Sequence, residues 1–177
     1  MTRHDWSSDV LDVFRSKLIR QIGTVPDAGL TRLLNLCSAD NSIKVMTLTR
    51  EDEGIGLVTG AWLGGERAAL LMQSSGVGNV INALSLPAVC SAPCLMLVTM
   101  RGQWGEANGW QVPMGRATPT VLQAMGVTCY PVDRAEAVGD TVSAAADMAF
   151  HGGAAVAVLI DQRVIGAKTF DANGEGA

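Results

Sequence analysis

From Ala68 to Met100 the chain carries no charged residue. A run of that length must be buried, in a membrane or in a protein core. It is no clean membrane span, because Gln73, Ser74, Ser75, Gly76, Gly78, Asn79, Asn82, Pro87 and Pro93 interrupt it, and a spanning helix needs about 20 predominantly apolar residues. Apolar stretches on both sides of a glycine-rich break read instead as strand, turn, helix and second strand. A strand covered on both faces is apolar throughout, as in parallel sheets packed between helices.

The rest of the chain repeats that alternation. Ser7 or Ser8 is placed to cap a first helix with Val10, Val13, Phe14 and Leu18 on one face. A short strand, 22–25, reaches a turn at Pro26-Asp27, and Leu30, Leu33, Leu34 and Cys37 mark a second helix. Strands are expected over 43–48, 68–72, 95–100, 127–132 and 154–160. Helices are expected over about 50–63, ended by Gly64-Gly65, over 76–89 with a break near Pro87, from Thr118-Pro119 to Met125, and over 135–150. Strands alternating with helices predict an α/β domain: three layers, doubly wound, with a mainly parallel sheet and right-handed crossovers. One domain over 1–170 fits 177 residues, with 171–177 as a frayed tail.

In such sheets ligands gather beyond the carboxyl ends of the strands. Four segments qualify: 25–27, 49–53, 73–79 and 101–116. They hold nearly all the unusual polar residues. The 73–79 turn resembles an anion-binding nest, but Ile81 replaces the third glycine of a dinucleotide fingerprint and no phosphate-loop lysine follows. A nucleotide-binding reading rests on Gly76 and Gly78 alone, and a plain packing turn explains them equally. Glu51, Asp52 and Glu53 open a helix, where Thr49 and Asp52 suggest a capping box and Glu51 complements the helix dipole. Arg101, Gln103, Gln111 and Arg116 could converge on an anion, since a guanidinium donates two parallel hydrogen bonds. A solvated loop with Trp104 and Trp110 packed on a neighbour is the plainer alternative.

Composition narrows the classes. A net charge of −4 and no basic stripe argue against nucleic acid. The first ten residues lack the apolar core of a signal peptide, so the expected location is the cytoplasm. Cys37, Cys90, Cys94 and Cys129 have no metal-ligand spacing and read as buried thiols in a reducing compartment. Apolar residues make up 48% and charged residues 17%, against about 25% charged in ordinary domains. That balance suggests a subunit that buries much of its surface against partners.

Four blocks, VPDAGL at 25–30, TREDEGIGLVTGAWL at 49–63, LLMQSSGVGNVINALSL at 70–86 and QVPMGRATP at 111–119, carry a resemblance. Together they resemble the pyrimidine-binding (PYR) domain of thiamine diphosphate enzymes. Within that group they are similar to the alpha subunits of sulfopyruvate decarboxylases and to the related phosphonopyruvate decarboxylases. The 49–63 and 70–86 blocks mark the 2-oxoacid decarboxylase branch, and the 111–119 block leans toward sulfopyruvate. The phosphonopyruvate branch typically has a His near Gln111, where this chain has Val112, Pro113 and Met114.

The resemblance implies a PYR-type fold and a role for one acid. In the family a glutamate opening this helix hydrogen-bonds N1′ of the aminopyrimidine, favouring the tautomer that removes the thiazolium C2 proton. The glycine register puts Glu51 there and Glu53 at a variable position. Such a glutamate must hold a proton to donate, which a dry subunit interface favours. Gln73, Ser74, Ser75 and Gly76 are implied to line the cofactor cleft, with Ser74 departing from the common Gln-Asn-Ser. Asp27, Asn79, Arg101, Gln111 and Arg116 are implied on the substrate side. The family holds Mg²⁺ and diphosphate through Gly-Asp-Gly and a downstream Asn, and neither occurs here: VGDT at 138–141 lacks the second glycine. The implied enzyme is therefore split. This chain would act only with a beta subunit carrying the diphosphate-binding (PP) domain, as a hetero-oligomer with at least two copies of each. Its reaction would be decarboxylation of 3-sulfopyruvate to sulfoacetaldehyde. Phosphonopyruvate or another 2-oxoacid as substrate, and a non-catalytic structural or regulatory subunit, stay open.

Overall fold

The computed structural model describes residues 4–166, so the expected tail lies outside the described residues. Six strands, β1 (Ile19–Thr24), β2 (Lys44–Thr47), β3 (Arg67–Gln73), β4 (Cys94–Thr99), β5 (Thr128–Val132) and β6 (Ala155–Ile160), form one sheet in the order β2-β1-β3-β4-β6-β5. Every pairing is parallel. The helices are α1 (Trp6–Ser16), α2 (Thr31–Ala39), α3 (Glu51–Leu63), α4 (Ser74–Val80), α5 (Ser85–Cys90), α6 (Gln111–Ala124), α7 (Val138–Gly152) and α8 (Gln162–Ile165).

The three layers follow from strand alternation. Leu71, Leu95, Leu97, Val156 and Val158 face one way and pack with Phe14 of α1, Leu33 of α2 and Val142 of α7. Leu70, Met72, Met96, Val98 and Ala157 face the other and pack with Ile55 of α3, Val77 of α4 and Leu122 of α6. The uncharged run is the centre of this arrangement: β3 and β4 are adjacent strands covered on both faces. The expected doubly wound α/β fold is thus present. No helix among the described residues is long and apolar enough to cross a membrane.

Several boundaries differ from expectation. The first helix starts at Trp6 after Asp5, and Leu18 leaves its face with φ 56°, exposed. The expected break at Pro87 falls at 81–84 instead, and Pro87 is the third residue of α5, where no intrahelical N–H is needed. The helix between β4 and β5 starts at Gln111 rather than Thr118, so Pro119 lies inside α6. The Thr49–Asp52 capping box does not form: Arg50 is the N-cap, and Glu53 Oε2 accepts from the Thr49 amide at 3.2 Å. Helix α8 was not anticipated. Cys37 and Cys94 are buried as expected, whereas Cys129 is half-buried and Cys90 exposed.

Candidate functional site

The chain leaves β1 toward β2 and leaves β3 toward β4, in opposite directions. The crevice this opens at the carboxyl edge is where such sheets place ligands. Asp27 follows β1, Glu51 follows β2, and Gln73 ends β3.

Glu51 is the first residue of α3 and only 6% exposed. Asn79 Nδ2 donates to its Oε2 at 2.7 Å, while Oε1 takes no hydrogen bond among the described residues. Gly76 is required for this arrangement: a Cβ there would stand 2.5 Å from Glu51 Oε1. Glu51, Gly76 and Asn79, all predicted from sequence, are therefore in direct contact across α3 and α4. Asp52 pairs instead with Arg50, and Glu53 accepts from the Thr49 amide just ahead of the helix.

Two further predicted residues are unsatisfied. The Oε1 atoms of Gln73 and Gln111 are buried without a partner among the described residues, a state that costs about 1–3 kcal/mol each unless a ligand or water supplies the donor. Ser74 is fully buried, and its Oγ accepts from the Arg101 amide at 3.0 Å. Its hydroxyl thus bonds within the chain. Ser75 is half-buried beside it.

The basic residues are placed differently from the expected anion clamp. Arg101 is buried, with Nε and Nη2 on Glu106 at 2.8 and 2.9 Å. Its Nη1 lies 3.9 Å from Asp27 Oδ1. Asp27 Oδ2 in turn accepts from the Gly29 amide at 3.0 Å and from Thr99 Oγ1 at 3.2 Å. Burial raises the Glu106 carboxyl, but Arg101 and the amides of Asn108 and Gly102 outweigh it and hold it at about 2. Arg101 therefore stands between two carboxylates, its charge already matched. Arg116 is exposed, with no ion pair among the described residues, yet lies two residues beyond Met114, about 200° around α6. Met114 lies next to Gly78 of α4, so Arg116 is on the flank turned away from α4 and Glu51.

Glu106 and Gln162 escaped the sequence reading. Gln162 is fully buried and follows β6, one of the carboxyl edges the loop rule should have included. Glu106 is the sole acid between Arg101 and Arg116, a signal that could have marked it. Among the described residues no three His, Cys, Asp or Glu side chains form a cation site.

A protein-family search finds no family model that matches this chain. Individual relatives do match. Sulfopyruvate decarboxylase subunit alpha of Methanococcus maripaludis is 37% identical over 141 residues, 79% of this chain and 84% of the relative. The Methanothermobacter thermautotrophicus protein of the same name is 38% identical over 143 residues, 78% of this chain and 84% of the relative. A phosphonopyruvate decarboxylase of Streptomyces viridochromogenes is 36% identical over 106 residues, covering 59% of this chain but 27% of that longer protein. Among solved structures, a 2-oxoglutarate:ferredoxin oxidoreductase of Magnetococcus marinus superposes with a TM-score of 0.73 at 15% identity, over 90% of this chain and 29% of that one. The last likeness is one of fold. Shared identity of this level over most of both chains, with Glu51, Gly76 and Asn79 built into one contact, leads to a single assignment: the chain belongs to the family of sulfopyruvate decarboxylase alpha subunits.

Proposed function

We propose that this chain is the pyrimidine-binding subunit of a thiamine diphosphate-dependent decarboxylase whose substrate is 3-sulfopyruvate, giving sulfoacetaldehyde and carbon dioxide. The observation that carries this reading is the seat of Glu51. One oxygen accepts from Asn79, the other accepts no hydrogen bond among the described residues, and the missing Cβ of Gly76 is what lets this carboxyl group pack against α4. The residues fit an aminopyrimidine, which needs a carboxyl partner for a ring nitrogen, and the amide oxygens of Gln73 and Gln111, without a partner among the described residues, suit its amino group.

When bound, the cofactor would supply an electron sink for the pair left behind as carbon dioxide departs. The chain's own work is narrower. Glu51 holds a proton at the pyrimidine nitrogen, and Asn79 keeps its carboxyl from rotating. Gly76 and Ser75 form the floor. The side-chain N–H groups of Gln73 and Gln111 orient the polar end of the substrate. Arg101 acts through position, because Glu106 already neutralises it, while Asp27 borders the cleft from β1. Arg116 lies too far around α6 to join them without help. The cation for the sulfonate is therefore assigned to the partner subunit, together with the Mg²⁺ and diphosphate site. That partner is a beta subunit with a PP domain, and the assembly contains at least two copies of each chain.

Mixing the chain with the product of a neighbouring reading frame that carries Gly-Asp-Gly, plus Mg²⁺ and thiamine diphosphate, should release carbon dioxide from 3-sulfopyruvate. Faster turnover of phosphonopyruvate in the same panel would replace the substrate assignment. No turnover of any 2-oxoacid would favour a non-catalytic subunit, a reading to which the inward-bonded Ser74 and the neutralised Arg101 are congenial.

A further inference from the structure

Residues 101–110, between β4 and α6, have no helix or strand of their own. One acid inside the segment gathers donors from all around it. Glu106 accepts from Arg101 Nε at 2.8 Å and Nη2 at 2.9 Å, from Gln162 Nε2 and the Asn108 amide at 3.0 Å, and from the Gly102 amide at 3.3 Å. Gln162 completes the clamp. Its Oε1 accepts from the Gln103 and Trp104 amides at 2.9 and 3.1 Å, and its own amide donates to Gln103 Oε1 at 3.1 Å. The hub stands in for the ladder hydrogen bonds that an irregular segment lacks.

The clamp reaches beyond the segment. The Arg101 amide donates to Ser74 Oγ, and Ser74 opens α4, the helix whose Gly76 and Asn79 seat Glu51. The Ser74 carbonyl accepts from Thr118 Oγ1 of α6 at 3.3 Å. On the other side, a Cβ on Gly115 would fall on the Arg101 carbonyl oxygen, so α6 is pressed against the same residue. We propose that Glu106 is a positioning residue for Glu51: it fixes Arg101, whose backbone fixes Ser74 and so the helix that holds Asn79 and Gly76 in place. This accounts for a guanidinium beside the cleft being matched to a carboxylate of its own chain. The inference rests on Glu51 being the cofactor-facing acid.

The test has two arms. In the isolated full chain, Glu106→Gln leaves the buried Arg101 with only Asp27, 3.9 Å away, as counter-charge, and hydrogen exchange should rise about tenfold in both 101–110 and 74–80 while β3 and β4 stay protected. In the reconstituted complex the same variant should lower kcat about tenfold or more with KM changed less than about threefold. Glu106→Gln combined with Arg101→Gln removes both charges and keeps an amide pair, so it should recover most of each effect even if the single variant folds poorly. A rise in exchange confined to 101–110, kcat within about twofold of wild type, or a double variant worse than Glu106→Gln would overturn the proposal. Glu51→Gln is run beside them. If wild type and Glu51→Gln turn over alike, the reading of Glu51 has failed, and the exchange arm alone still decides whether Glu106 governs α4.

Discussion

Asn79 donates to one oxygen of Glu51, and the other accepts no hydrogen bond among the described residues. Glu51→Gln keeps the shape and the Asn79 contact but removes the proton, so turnover of the complex should fall by about 10²-fold or more with little change in melting temperature. Glu53→Gln keeps an acceptor for the Thr49 amide and should change turnover less than about threefold, at a stability cost under about 1 kcal/mol. Gly76→Ala puts a methyl group on Glu51 Oε1 and should reduce turnover without unfolding the chain, since what it meets is a side chain and not backbone. Glu106 provides a pH signature. Its carboxyl sits at about 2 in the folded chain against an ordinary 4.5. The folded state therefore binds fewer protons than the unfolded one between those values, so the contribution is complete above about pH 5 and lost as pH falls toward 2. A shift of that size corresponds to about 3 kcal/mol for this buried group. Urea midpoints should drop over that window in wild type, and less steeply in Glu106→Gln.

Helix α3 joins two kinds of glycine. Gly54 faces the sheet, where a Cβ would fall on the Leu70 side chain, so Gly54→Ala should cost about 1–3 kcal/mol in urea unfolding. Gly56 and Gly60 are exposed, with nothing near a Cβ, and replacing either with Ala should stabilise the isolated chain by about 0.5–1 kcal/mol through helix propensity. Denaturation of the single variants separates the two classes. The helical phase of α3 was readable in sequence, but its apolar and glycine faces look alike there. Only the position of β3 tells them apart. Helix α6 shows the opposite limit. Pro119 and the Gly- and Trp-rich stretch before it looked like a loop and a helix start, yet the helix runs from Gln111 because Gly115 allows it to close onto the Arg101 carbonyl. A long-range contact of that kind leaves no local periodicity to read.

At the scale of the whole molecule, the chain should be inactive alone and active with its partner; turnover by the purified single chain would sink the split-site reading. The alternation of uncharged strands with helices determined the sheet, its parallel sense and the two covered faces, because burial on both sides demands residues that are apolar throughout. The glycine register, read through a family resemblance, singled out Glu51 from its two acidic neighbours. Tertiary structure decided the rest: Arg101 is matched by Glu106 and Asp27, Arg116 faces away from α4, and Gln162 ties the 101–110 segment to the end of β6. Residue type says what a side chain can bond. Which partner it meets depends on elements far apart in the chain, and that information exists only once the sheet has brought their ends together.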